Sequence, residues 1–167
     1  GINRDAHKEY KNSHIENALF FDIDRICDKE TYLPHMLPSV KNFEKEISKL
    51  GISKKDIIII YCMEGILSSP RVWWSFYLYG HKEVYVLDGG LKAWKLAGGK
   101  LTAKKTKIKK NNYKCNVIED KIINENFIPD RIIIGLTEFT RFTMPITSGK
   151  SNINFYDFLR YMDLGLS

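Results

Sequence analysis

The chain has 167 residues, of which 44% are apolar and 28% charged, and it carries a formal net charge of +6. That length supports one full domain, or one domain and part of another, without disulfides or a structural metal to hold the core. The composition is that of a folded globular chain and excludes the disordered and fibrous classes.

Early in the chain, Ala18-Leu19-Phe20-Phe21 reads as a short extended segment. Phe43, Ile47 and Leu50 recur at helical spacing, with Ser39 as the cap and Gly51 as the stop. Ile57 to Tyr61 is a β-branched run that is apolar on both faces, the pattern of a central strand in a parallel sheet. Cys62 to Ser68 follows as a loop. Pro70 then suits the first turn of a helix and Ser69 the cap before it. The helix is rich in aromatics from Val72 to Tyr79 and stops at Gly80. Trp73 and Trp74 on it are expected to bury against a sheet.

Glu83 to Leu87 is a second strand, Asp88-Gly89-Gly90 a turn, and Leu91 to Leu96 a short helix closed by Gly98-Gly99. The order is that of a βαβα unit with a right-handed crossover. Residues 100–112 hold Lys100, Lys104, Lys105, Lys107, Lys109 and Lys110. With no aromatics interleaved to stack on bases, this run reads as a solvated linker rather than a nucleic-acid surface. Residues 113–167 start again with Tyr113 to Ile118, a strand at Ile132 to Ile134, and Asn152 to Tyr161.

Cys27, Cys62 and Cys115 are odd in number and lack metal-type spacing, which argues for a reducing compartment and against a disulfide framework. Neither a metal site nor a cofactor is suggested. No apolar stretch has membrane length, and no signal peptide is seen at the start, where the first residue is Gly.

Several stretches, taken in order, resemble the tandem rhodanese-like sulfurtransferases. Gly1 to Tyr10 is similar to the family's GxGRDARKEY segment, and Ser13 to Asp24 to its xHIPGAxFFDID segment, with Asn17 where the family has Gly. Leu33 to Ser39 is close to LPHMLPS, Ser69 to Trp74 to APRVWW, and Val86 to Trp94 to VLNGGxxAW. The resemblance implies an α/β fold: a rhodanese-like domain with a central parallel sheet flanked by helices over residues 1–99, its first strand absent. A basic linker over 100–112 and a partial second rhodanese-like unit over 113–167 would follow. Asp130 to Phe142 looks like the opening of that second unit, and Ser148 to Leu159 like an eroded later motif.

Rhodanese chemistry needs a thiolate that accepts a sulfane sulfur as a persulfide. A loop between a strand and a helix N-terminus points backbone N–H groups at such a sulfur and lowers its pKa. The resemblance places Cys62 at that position, with Gly65 and Ser68 at the loop's Gly and small-residue places. In most first domains of the family the same position is Asp and the domain is silent. Cys62 is therefore the candidate nucleophile, set against a small residue that merely ends a buried strand. Gly65, Ser68, Arg71 and Arg141 are candidate substrate-binding residues, with Arg71 also open to a packing role. Glu64 in the loop and Leu67 beside it weigh against anion binding, as do Thr137 and Lys150, which stand where the family has Arg and His. His14 and His35 are expected to be hydrogen-bonded structural residues, and Arg4 and Asp5 a structural pair.

The function implied is sulfur transfer from a small anionic donor, thiosulfate or 3-mercaptopyruvate, to a thiol or cyanide, in a mitochondrial or cytoplasmic setting with no membrane partner. The alternative is a catalytically inactive rhodanese-like module kept for its surface, with a protein partner, as a subunit of a larger assembly. Fold alone does not decide between them.

Overall fold

The computed structural model describes residues 4–63, 65 and 67–121, and the backbone of strands 146–148 and 151–153. Two compact units divide at residue 119, Gly1–Glu119 and Asp120–Ser167. The first holds four helices and four strands among its described residues. Helix α1 (Ala6–Asn12) is capped by the Asp5 carboxylate, which accepts from the Lys8 N–H, while Arg4 forks onto Glu9 at 2.9 and 2.7 Å. Strand β1 (His14–Ile15) follows, and Ala18 to Phe21, expected as a short extended segment, joins no strand. Asn17 takes a left-handed φ of 64°, which Asn tolerates better than most residues, so the turn survives the loss of the family's Gly.

Helix α2 (Val40–Lys49) begins where Ser39 Oγ accepts from the Asn42 N–H and ends before Gly51, whose φ is 74°. Strand β2 (Ile58–Ile60), helix α3 (Ser69–Leu78), strand β3 (Val84–Val86) and helix α4 (Gly90–Leu96) form the βαβα unit that the apolar pattern dictates. The two strands are parallel, with Ile58 opposite Val84 and Ile60 opposite Val86. Ile60 turns inward, whereas Ile57 and Ile59 are 69% and 61% exposed. Among the described residues β2 is therefore covered on one face only, where the run of isoleucines suggests two.

The core lies between α2, α3 and the β2–β3 pair. Phe43 and Ile47 from α2 meet Val72, Phe76 and Tyr79 from α3, with Ile60, Val84 and Ile26 closing the cluster. Trp73 packs against it and donates its Nε1–H to the Val84 carbonyl at 3.0 Å.

The unit does not end at residue 99. Strand β4 (Leu101–Thr102) pairs antiparallel with β1, Ile15 opposite Leu101, and His14 reaches the Lys104 carbonyl from the same place. The lysines at 104, 105, 107, 109 and 110 are exposed. Beyond them, Tyr113 is 1% exposed and belongs to the core cluster. Its ring stacks on His81, and its hydroxyl lies 3.1 Å from His81 Nδ1 while His81 Nε2 faces the Asp56 carbonyl at 2.9 Å. Only a neutral ring with its proton on Nε2 both donates to that carbonyl and accepts from the phenol. Burial lowers the His81 pKa in keeping with that state. The N–H groups of Asn116 and Ile118 bond the Tyr79 and Leu78 carbonyls, so the segment closes over the end of α3.

In the second unit the described residues form one antiparallel pair, β5 (Ile146–Ser148) with β6 (Ser151–Ile153). The strand expected at Ile132 to Ile134 lies outside the described residues. No helix of the described residues is long and apolar enough to cross a membrane.

Tyr113→Ala is expected to destabilise the chain by about 3–5 kcal/mol, the usual range for emptying a buried aromatic site. Urea unfolding followed by tryptophan fluorescence measures this. A loss near zero would mean that the segment only rests on the surface.

Candidate functional site

The β2 strand ends at Ile60, and two residues later Cys62 stands at the mouth of the turn into α3. Helix α3 begins one residue earlier than the sequence suggests: Ser68 is the N-cap, Ser69 the first helical residue and Pro70 the second. The Ser68 side chain makes no capping bond, so the first N–H groups of the helix are free of internal partners. They turn to the sulfur instead.

Cys62 is half-buried, and its Sγ–H donates to the Gly65 carbonyl at 3.4 Å. Burial pushes the thiol pKa up. The Ser69 hydroxyl and the N–H groups of Ser68, Ser69 and Leu67 pull it down and prevail, so the sulfur ionises below the ordinary thiol value. A convergence of main-chain donors at a helix tip is an anion cradle, and here it faces the side chain just past the end of the strand. Gly65 supplies the reversal this needs, with φ of 52° and open space where a Cβ would stand.

The loop is held from the other side by α4. The Leu91 N–H donates to the Cys62 carbonyl at 2.9 Å, and the Lys92 N–H to the Met63 carbonyl at 3.2 Å. Gly90 lies between them with φ of 60°, and a Cβ there would sit 2.6 Å from the Cys62 carbonyl oxygen and 3.0 Å from that of Gly65. The Gly89-Gly90 pair, read from sequence only as a turn, is the contact that sets the floor of the loop.

The remaining predicted residues divide. Ser68 joins the cradle through its N–H, and Gly65 through its turn and carbonyl. Arg71 does not complete the cradle: its Nε–H donates to the His35 carbonyl at 2.8 Å, tying α3 to the turn at residues 33–36, and its buried Nη2 meets no partner among the described residues. His35 has a left-handed φ of 56°, and its Nε2 faces Asp24 Oδ1 at 2.6 Å. His14 is buried between the Tyr10 and Lys104 carbonyls. Glu64, Thr137, Arg141 and Lys150 lie outside the described residues. Leu67 is 59% exposed.

The other thiols are unlike Cys62. Cys27 is buried and donates to the Asp24 carbonyl. Burial, with the Glu44 carboxylate nearby, pushes Cys115 up to about 11. Sequence reading did not single out Ser69 or Gly90 for the site. The double glycine at 89–90 was the available sign for one, and nothing local marked the other.

A model of the rhodanese-like domain matches residues 4–97. The mitochondrial thiosulfate/3-mercaptopyruvate sulfurtransferase 1 of Arabidopsis thaliana is 50% identical over 95 residues, covering 57% of this chain and 25% of that protein. The human 3-mercaptopyruvate sulfurtransferase is 38% identical over 108 residues, 64% of this chain and 36% of its own length. Among solved structures, the 3-mercaptopyruvate sulfurtransferase SseA of Escherichia coli superposes with a TM-score of 0.71 at 29% identity, over 75% of this chain and 48% of that one. The Tum1 protein of Saccharomyces cerevisiae does so at 0.67 and 32% identity, over 74% and 42%. The chain thus spans about a quarter to a third of the length of the curated relatives named here.

With iodoacetamide at neutral pH, Cys62 is expected to alkylate first and Cys115 last or not at all. A thiol raised to about 11 is ionised at only about one part in ten thousand at pH 7. Peptide mapping by mass spectrometry gives the order, and faster labelling of Cys115 than of Cys62 would contradict this account of the loop. Gly90→Ala should cost about 1–2 kcal/mol for the left-handed backbone alone and also slow Cys62 labelling, because the new methyl group displaces the Cys62 carbonyl.

Proposed function

Because the chain belongs to the rhodanese-like domain family, we propose that it is a sulfurtransferase whose Cys62 carries sulfane sulfur from thiosulfate or 3-mercaptopyruvate to a thiol or cyanide. The observation that carries this reading is the set of N–H groups from Leu67, Ser68 and Ser69 gathered on one half-buried sulfur.

The chemistry follows from that placement. The Cys62 thiolate attacks the outer sulfur of thiosulfate. A new S–S bond forms, the old one breaks, and sulfite leaves with the electron pair. With 3-mercaptopyruvate the C–S bond breaks instead, and the departing enolate takes up a proton to become pyruvate. The carrier is then a persulfide. A thiolate or cyanide attacks its outer sulfur, and the electron pair returns to Cys62. The helix-tip donors serve each state in which negative charge rests on or next to the sulfur. Gly65 and Ser68 supply backbone to this cradle, whereas Arg71, bonded to the His35 carbonyl, serves by fixing α3. Arg141 belongs to the same proposal, as a residue that binds the donor's anionic group. The compartment proposed is a reducing one, mitochondrial or cytoplasmic, on the strength of three free thiols and a relative whose name places it in the mitochondrion.

The second reading, an inactive module retained as a partner surface, draws on the exposed Leu67 in the loop, whose apolar side chain offers an anion nothing. Intact mass decides between them. After incubation with thiosulfate, and separately with 3-mercaptopyruvate, the wild-type chain should gain one sulfur atom, lose it on adding cyanide, and gain none as Cys62→Ala. A folded wild-type chain that takes up no sulfur from either donor would overturn the carrier reading and leave the module.

A further inference from the structure

Helix α3 carries two buried serines, and they behave differently. Ser75 does what a serine within a helix ordinarily does, donating its hydroxyl to the carbonyl four residues back, that of Arg71, at 3.0 Å. Ser69 does not. It is 1% exposed, its Oγ is sealed from solvent, and it meets no hydrogen-bond partner among the described residues. The carbonyl four residues back from Ser69 is that of Gly65, and the Cys62 Sγ–H occupies it. A buried hydroxyl left idle carries a desolvation penalty, which persists where another state of the molecule makes use of the group.

The ionised sulfur of Cys62 is that other state. Ser69 opens α3, the helix that follows the Cys62 loop, and its buried, unpartnered hydroxyl is among the groups that favour the ionised sulfur. In the neutral thiol, the sulfur is a weak acceptor. Once the proton has gone, it becomes a charged acceptor, and hydrogen bonds to charged acceptors are about twice as strong as neutral ones.

We propose that the Ser69 hydroxyl is a donor held for the Cys62 sulfur, idle against the neutral thiol and bonded to the thiolate. The inference deepens the carrier reading and rests on it for its use. The thiolate occurs twice in that cycle, as the nucleophile that takes sulfur and as the leaving group when the acceptor attacks the outer sulfur. In the second step the S–S bond breaks, its electron pair returns to Sγ, and the hydroxyl proton stays on Ser69 while its hydrogen bond receives the new charge. Ser69 therefore acts on both half-reactions through one atom. It does so from the first turn of the helix, a position where serine usually signals a cap; here the cap position belongs to Ser68.

The test compares the full chain as wild type, Ser69→Ala and Ser75→Ala. Alkylation of Cys62 by iodoacetamide is followed by peptide mass spectrometry across pH, with thermal unfolding at pH 6 alongside. Ser69→Ala should raise the pH midpoint of Cys62 labelling by about one pH unit, a tenfold smaller thiolate fraction below the midpoint, with unfolding at pH 6 unchanged or later. Ser75→Ala should leave the midpoint where it is. An unmoved midpoint in Ser69→Ala overturns the proposal, and so does an equal rise in both variants, which would mark a general disturbance of α3. The carrier reading is scored separately by sulfur uptake of the wild type. A chain that takes up no sulfur but shows the shift in Ser69→Ala alone loses the carrier reading and keeps the Ser69–Cys62 bond.

Discussion

Everything distinctive in this molecule depends on one sulfur that is half-buried yet favoured as an anion. Burial raises the pKa of Cys62, as it does that of Cys115. The difference between the two is what faces them. Cys115 has the Glu44 carboxylate, which also accepts its backbone N–H, while Cys62 has the unoccupied donors of a helix tip. The same desolvation that raises one thiol strengthens the hydrogen bonds that lower the other. The causes that lower Cys62 are the N–H groups of Leu67, Ser68 and Ser69 together with the Ser69 hydroxyl.

The cradle is built by two helices rather than one. Helix α3 supplies donors to the sulfur, and α4 supplies donors to the carbonyls of Cys62 and Met63, so the loop is gripped by amides on both sides. The close approach this requires leaves no space for a side chain at position 90, and the left-handed backbone there favours Gly. Arg71 and Tyr79 extend the grip outward. One holds α3 to the His35 turn, and the other has its hydroxyl on the Pro38 carbonyl. The loop before α2 is in this way tied to the helix that forms the site.

Where periodicity and punctuation were strong, the sequence was readable. Ser39 and Gly51 bracket α2, the isoleucine run gives β2, and Gly80 closes α3, because each signal is a local steric or hydrogen-bonding demand. The place of Cys62 was legible for the same reason, a strand followed by a glycine-bearing loop and a proline-marked helix. What was not legible is what depends on chain meeting chain. Lysine-rich residues 100–112 look like solvent-facing linker, and mostly are, but the pattern hides that β4 pairs with β1 and that Tyr113 returns to the core. Ser69 reads as a cap because serine before proline usually is one. Its relation to Cys62 needs the Gly65 carbonyl already occupied, which no linear pattern records.

The isoleucines of β2 pose one last constraint. Ile57 to Ile60 are chemically identical, so the strand could slide by one place without changing which kind of atom meets its neighbours, while every side chain would swap sides. Such a slip would carry the sulfur to the opposite surface. The alignment must come from the ends: the Asp56 carbonyl held by His81, the Ile58 N–H on Glu83, and the Ile60 carbonyl under Leu87. A histidine far from the thiol along the strand is thereby part of what aims it.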